Sequence, residues 1–356
     1  MQLQPGIQAG EGVIERYRSL LPVTGSTPLI TLGEGNTPLI RVPALESRVG
    51  AAEVWLKLEG CNPTGSFKDR GMVLAAAKAI EDGSHTVICA STGNTSASAA
   101  AYAARTGLAC VVIVSAANVA LGKLTQTRAY SARVVNIDAD FDTGLKLARD
   151  LAERAGVTLV NSVNENRLEG QKTAAFEVVD SLGAAPDEVF IPVGNAGNIS
   201  AYWAGFCQYK ELGNADRAPR MRGFQAAGAA PIVLGHPVAD PQTVASALRI
   251  GNPASWAKAV RASDESGGSI EKVTDSQILD AYRLLGSLGI FCEPASAAAV
   301  AGLVDRAERK LVDDRSRIVC IITGHGLKDP EFADRESPPH LQSSADASAV
   351  AELLGW

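Results

Sequence analysis

Lys68 stands in the stretch Asn62-Pro63-Thr64-Gly65-Ser66-Phe67-Lys68-Asp69-Arg70. Pro63 and Gly65 supply a turn, Ser66 is the candidate N-cap, and the Ala-rich run at 71–80 is helical in pattern. Lys68 therefore falls in a first helical turn, beside the positive end of the helix dipole. A cation is disfavoured there, so the amine's pKa should fall toward the neutral, nucleophilic form that makes Schiff bases. The same residues also read as a solvated lysine in an exposed turn, and the stretch alone leaves both readings open.

Three further turns carry polar chemistry after strand-like runs. Ser91-Thr92-Gly93-Asn94-Thr95 follows the run at 86–90 and opens an Ala/Ser-rich helix. Its hydroxyls and the Asn94 amide can donate to a carboxylate or a phenolic oxygen at the helix N-terminus, although a well-made cap uses the same residue types. Gly194-Asn195-Ala196-Gly197-Asn198 follows the run at 189–193. Backbone N–H groups in such a turn can cradle a phosphate, while glycine that only eases the backbone gives the same pattern. The spacing is neither GxGxxG nor GxxxxGK[ST], which favours the compact phosphate of a small cofactor over a dinucleotide or a nucleoside triphosphate. Thr323 ends the run at 318–322, where its hydroxyl either enters the same crevice or makes a local turn.

Turns like these meet only if a sheet brings its strand ends together. Strand patterns at 53–59, 86–91, 109–115, 133–137, 157–160, 188–193 and 220–227 alternate with helical patterns at 67–81, 95–106, 118–130, 142–155, 167–182 and 198–212. That alternation predicts βαβ units and a parallel sheet covered on both faces, with ligands at the carboxyl ends of the strands. Residues 9–21 read as a short amphipathic helix, and the proline-rich stretch 229–270 as loop. Helices follow at 276–288 and 294–311, then a strand at 317–323. A Ser/Pro/Asp-rich tail begins at 334 and ends in a short helix.

Composition narrows the classes. The chain has 356 residues, 46% of them hydrophobic and 20% charged, as in ordinary globular proteins long enough for two packed domains. A net charge of −6 without a basic stretch argues against nucleic acid. No apolar run approaches a membrane span, and residues 1–18 lack the apolar core of a secretory signal. The 6 cysteines form no CxxC pair and the 4 histidines show no ligand spacing, so no metal is expected, and a reducing, cytoplasmic compartment fits.

In their order, EGNTPL at 34–39, NPTGSFKDRG at 62–71, STGNTSAS at 91–98, GNAGN at 194–198 and TGHGLKD at 323–329 resemble the fold-type-II pyridoxal-phosphate (PLP) enzymes, and among them the threonine synthase family. The resemblance covers about 32–329. It implies an α/β fold of two doubly wound domains with mostly parallel sheets and PLP in the crevice between them. The smaller domain would be 45–156, the larger 20–44 with 157–333, and the tail 334–356. Lys68 would be the Schiff-base lysine and the acid and base of the proton transfers. Asn94 would bind the cofactor's phenolic oxygen, Gly194, Asn195, Ala196, Gly197 and Asn198 its phosphate, and Thr323 would face its ring nitrogen, with Phe67 near the ring. The substrate would be O-phospho-L-homoserine, its carboxylate held by Ser91, Thr92 and Thr95 and its phosphate by Lys123, Asn161, Ser162 and Arg167. The family also implies a homodimer. A serine/threonine dehydratase or another β-replacing enzyme is the nearest rival. Dehydratases, however, usually carry consecutive glycines where this chain has GNAGN, and Ser or Cys where it has Thr323. A non-catalytic PLP- or amino-acid-binding protein is the rival of another class.

Overall fold

The strand ends on which the expected site depends come from two sheets. The computed structural model describes residues 11–115, 121–139, 141–154 and 156–356. Its strands are β1 (Leu39–Arg41), β2 (Glu53–Leu58), β3 (Thr86–Ala90), β4 (Ala109–Ser115), β5 (Arg133–Ile137), β6 (Val157–Leu159), β7 (Glu188–Pro192), β8 (Arg220–Ala226), β9 (Ser269–Val273) and β10 (Arg317–Ile322). The larger sheet runs β1-β2-β10-β7-β8-β9 and the smaller β5-β4-β3-β6. β1 pairs antiparallel with β2, and the other pairings are parallel, as the βαβ rhythm predicts.

The sheets divide the chain differently from the expected boundaries at 45–156 and 157–333. β2 lies within the first range but belongs to the larger sheet, pairing from Glu53 opposite Arg317 to Leu58 opposite Ile322. β6 opens the second range but pairs with β3 in the smaller sheet. A short apolar run announces a strand without naming its partner, and these partners are distant in sequence. The stretch 229–270, read as loop, holds the helix Trp256–Glu265 and the start of β9, an edge strand whose sequence SIEKV is too polar to stand out. The helix expected at 9–21 is a short helix Val13–Arg16 followed by a 3-10 turn Arg18–Leu20, with 9 and 10 outside the described residues. That expected at 167–182 breaks into Glu165–Gln171 and Thr173–Leu182. Residues 118–120 of another expected helix also lie outside the described ones, which resume at Leu121–Ala129.

The helix Lys68–Glu81 is the piece that joins the two sheets. Residues 69–77 and Ala79 are all buried, so it presents no polar face to solvent. Its Met72, Val73 and Leu74 share one core with Val87, Cys89 and Val112 of the smaller sheet and Val189, Ile191 and Ile321 of the larger. Glycine permits its closest contact. A Cβ on Gly170 would lie 2.1 Å from the Arg70 carbonyl oxygen, and one on Gly71 2.5 Å from that of Arg167. Backbone therefore meets backbone where Lys68–Glu81 crosses Glu165–Gln171, and Lys68 and Arg167 are brought onto neighbouring turns.

A buried ionic network ties the start of this helix to the larger sheet. Arg70, fully buried, donates from Nε to Glu59 at 2.7 Å and from Nη2 to Glu177 at 2.6 Å. Lys57 Nζ reaches the same Glu177 at 2.7 Å, and Asn62 Nδ2 donates to Glu59. Burial works to raise the Glu177 carboxyl, but the Arg70 and Lys57 charges hold it well below the usual carboxylate range.

Candidate active site

The loop before Lys68 is pinned to the loop after β10. Ser66 bridges Gly324, Phe67 N–H donates to the Thr323 carbonyl at 3.0 Å, and His325 N–H donates to the Gly65 carbonyl at 2.9 Å. This pinning places Lys68 beside the end of β10. It also corrects the expected cap: the N-cap position is Phe67, and the Ser66 hydroxyl is buried without a partner. Asp69 does the bracing instead. Its buried carboxylate accepts from Thr64 N–H at 2.7 Å, from Thr64 Oγ1 at 2.6 Å and from Ser98 Oγ at 2.6 Å, and burial raises its pKa to about 6. Lys328 Nζ donates to the Thr64 carbonyl at 3.0 Å and to Gln126 on the helix Leu121–Ala129.

The Lys68 amine lies 4.2 Å from the centroid of the Phe67 ring. Its pKa is lowered to about 7, first by burial and then by the charge of Arg167, with Glu293 pulling the other way. The direction agrees with the expectation from the helix dipole, but the cause is desolvation and a neighbouring cation. Arg167 is itself fully buried. Nη1 donates to the Val160 carbonyl at 3.1 Å, whereas Nε and Nη2 are buried with no partner among the described residues. Burial lowers its pKa to about 10, so it remains a cation at neutral pH.

The turn at 91–95 reaches the same place through Asn94, whose Nδ2 donates to Glu293 Oε2 at 2.9 Å. Ser91 Oγ accepts from Gly93 N–H at 3.2 Å, and Ser91, Thr92 and Thr95 are half-buried. Thr323 Oγ1 donates to Glu293 Oε1 at 3.2 Å and lies 2.9 Å from Ser296 Oγ. Asn161 is turned inward. Its amide brackets Ala90 with two 2.9 Å bonds, which braces the end of β3, and Ser162 beside it is half-buried. Lys123 lies on the helix Leu121–Ala129, but its side chain is outside the described residues.

The turn at 194–198 leads from β7 into the helix Gly197–Glu211, with Ala196 at φ 64°. Among the described residues, no acceptor takes the backbone N–H groups of Gly194 to Asn198. A Cβ on Gly194 would fall 2.8 Å from the Ala247 carbonyl oxygen, and one on Gly197 3.1 Å from Leu168 beside Arg167. Among the described residues, neither polar atom of the buried Asn198 amide has a partner. A row of free N–H groups at a helix N-terminus is what a phosphate dianion requires. With a deprotonatable lysine, an amide donor and a strand-end hydroxyl nearby, the residues present fit PLP.

Sequence reading missed Glu293 and Ser296, which connect Asn94 to Thr323. The available signal was Glu293-Pro294 opening a helix, since Pro at N1 marks the start and leaves the preceding carboxylate at the strand-end side.

The sequence matches the family described as "Pyridoxal-phosphate dependent enzyme" over residues 30–324. It is 57% identical over 349 residues to threonine synthase of Synechocystis sp., covering 97% of this chain and 91% of that one. It is 51% identical to threonine synthase of Mycobacterium tuberculosis, covering 98% and 97%. The chain belongs to the threonine synthases. It is a PLP-dependent lyase of amino-acid biosynthesis. The archaeal threonine synthase of Methanocaldococcus jannaschii is 48% identical, covering 95% of this chain and 86% of that one. Among solved structures, maize serine racemase superposes with a TM-score of 0.72 at 21% identity, covering 85% and 93%. Threonine deaminase isoform 2 from Solanum lycopersicum gives 0.72 at 23%, covering 85% and 87%. At that identity the likeness shows the fold alone, and the dehydratase reading is not favoured.

Proposed function

We propose that the enzyme converts O-phospho-L-homoserine and water to L-threonine and phosphate. The observation that carries this reading is Arg167, a fully buried guanidinium beside Lys68 whose Nε and Nη2 have no partner among the described residues. Leaving those donors empty is costly, and a phosphate or carboxylate oxygen of a bound substrate fits them in bidentate fashion. Lys123, Asn161 and Ser162 complete the proposed phosphate subsite. In the conformation described, Asn161 contributes by fixing the end of β3. Ser91, Thr92 and Thr95 take the substrate carboxylate at a helix N-terminus.

Lys68, Asn94, the N–H groups of Gly194 to Asn198 and Thr323 hold the cofactor. When bound there, PLP supplies the electron sink that acidifies the substrate's Cα–H bond. The Lys68 amine, with a pKa of about 7, accepts the Cα proton, passes it on to the cofactor–substrate system, and is then free to accept a Cβ proton. Phosphate leaves from Cγ into the Arg167 subsite. Lys68 returns a proton to Cγ, water adds its oxygen at Cβ, and the remaining two protons go back to Cα and onto the departed phosphate. We also read the enzyme as a cytoplasmic homodimer, supported by its unpaired cysteines and by the fold-type-II enzymes it resembles.

Purified protein incubated with phosphohomoserine should release threonine and phosphate in equal amounts and make no 2-oxobutanoate from threonine. Production of 2-oxobutanoate from threonine without phosphate release from phosphohomoserine would overturn the reading.

A further inference from the structure

Glu293 is the residue in which the two cofactor-ring partners meet. It opens the helix Pro294–Glu308, and its own N–H donates to the Gly324 carbonyl at 3.0 Å. Its carboxylate is buried at 5% exposure and accepts from both sides of the crevice. Asn94 Nδ2, carried on the turn after β3 of the smaller sheet, reaches Oε2 at 2.9 Å. Thr323 Oγ1, at the end of β10 of the larger sheet, reaches Oε1 at 3.2 Å. Ser296 Oγ accepts from Gly324 N–H at 3.0 Å and lies 2.9 Å from Thr323 Oγ1, closing the chain of polar groups.

An Asn amide can be turned either way, and a Thr hydroxyl rotates freely unless a partner fixes it. Here one carboxylate fixes both. It commits one Asn94 N–H to itself and leaves the second N–H of that amine free for an acceptor. It also directs the Thr323 hydroxyl hydrogen. Little water competes in so buried a place, so the orientation is firm. Burial holds Glu293 above the usual carboxylate range, against the hydrogen bond from Asn94, the Lys328 and Lys68 charges and the hydrogen bond from Thr323.

We propose that Glu293 is a positioning residue that orients the Asn94 amide and the Thr323 hydroxyl toward the cofactor ring. The inference rests on the reading that the ring lies between Asn94 and Thr323.

The test uses Glu293→Ala, Glu293→Asp and Glu293→Gln, with Asn94→Ala as a control. Cofactor affinity and the visible absorbance of bound cofactor are measured in the full-length enzyme. Glu293→Gln keeps the length but only one acceptor oxygen, so it holds Asn94 and releases the Thr323 hydroxyl, and affinity should fall by no more than about threefold. Glu293→Asp keeps the charge but cannot reach both partners. It should bind cofactor about tenfold more weakly with a shifted absorbance maximum, as should Glu293→Ala, since an orienting bond to a charged group is lost. Parental affinity and spectrum in Glu293→Asp would overturn the inference, even if Glu293→Ala does not fold. If Asn94→Ala perturbs the spectrum while Glu293→Asp does not, the inference alone falls. If neither does, the placement of the ring falls with it.

Discussion

The fully buried Arg167 guanidinium and the half-buried Lys68 amine lie on neighbouring turns, and the guanidinium helps hold the amine at a pKa of about 7. Glycine at 71 and 170 makes that proximity possible, because any side chain there would collide with a carbonyl oxygen. The buried guanidinium is an unfavourable charge that an anionic substrate group relieves.

Replacing that guanidinium tests the cost directly. Arg167→Met should raise the stability of the cofactor-free protein by about 1 kcal/mol or more, since a buried uncompensated charge gives way to apolar volume. The same variant should raise KM for phosphohomoserine about tenfold or more while cofactor stays bound, as loss of a charge-assisted bond implies. Urea denaturation and steady-state kinetics read the two effects. An unchanged KM would remove Arg167 from the phosphate subsite.

Lys68 makes stability depend on pH with a definite sign. Its folded pKa of about 7 lies below the unfolded value of 10.5, so between them the unfolded chain holds a proton the folded one lacks. Stability of the cofactor-free protein should therefore rise with pH across that window, by at most about 1.4 kcal/mol per unit. Below pH 7 both states are protonated and the burial cost is fully present. Denaturation curves of the parent and Lys68→Met should differ in this slope. Parallel pH profiles would show that the amine is not held neutral. Lys68→Met should also lose turnover and the visible absorbance of lysine-bound cofactor.

The network around Arg70 should behave as a unit. Arg70→Leu leaves the Glu59 carboxylate in the core without a cation and Glu177 with Lys57 alone, and should cost about 3–5 kcal/mol in urea denaturation. Glu177 is depressed in the folded state, so its contribution is complete above the ordinary carboxylate range and fades as acid protonates it. Acid unfolding of Glu177→Gln should accordingly begin from lower stability and show a shallower pH dependence than the parent.

Gly170→Ala tests the helix contact. The added Cβ would sit 2.1 Å from the Arg70 carbonyl oxygen, so the two helices must part. Overpacking of this kind costs about 1–3 kcal/mol. Because the shift separates Arg167 from Lys68, KM for phosphohomoserine should rise in a protein that still binds cofactor through the turn at 194–198. Kinetic constants equal to the parent's would show that the close crossing is dispensable.

The motifs made the local setting of the candidate residues readable in advance. Lys68, Asn94, the 194–198 turn and Thr323 each lie in a short segment whose composition states its local job: a turn, a helix start, a strand end. One local reading nevertheless failed, at Ser66, and the dipole argument left out the burial and the Arg167 charge that lower the Lys68 pKa. Capping and dipole arguments see only the chain's own neighbours, whereas Thr323, Gly324 and Arg167 reach Lys68 from far along the sequence.

By itself, then, the sequence determined the βαβ alternation, the glycine turns after strands and the candidate lysine at a helix start, because periodicity and turn chemistry are local properties. The tertiary structure alone decided that β2 belongs with β10 and β6 with β3. It also decided that Asn94 and Thr323 share the Glu293 carboxylate, and that Arg167 lies buried and unpaired beside Lys68. Sheet partnership, desolvation and charge proximity depend on which distant segments meet, and no window of the chain contains both partners.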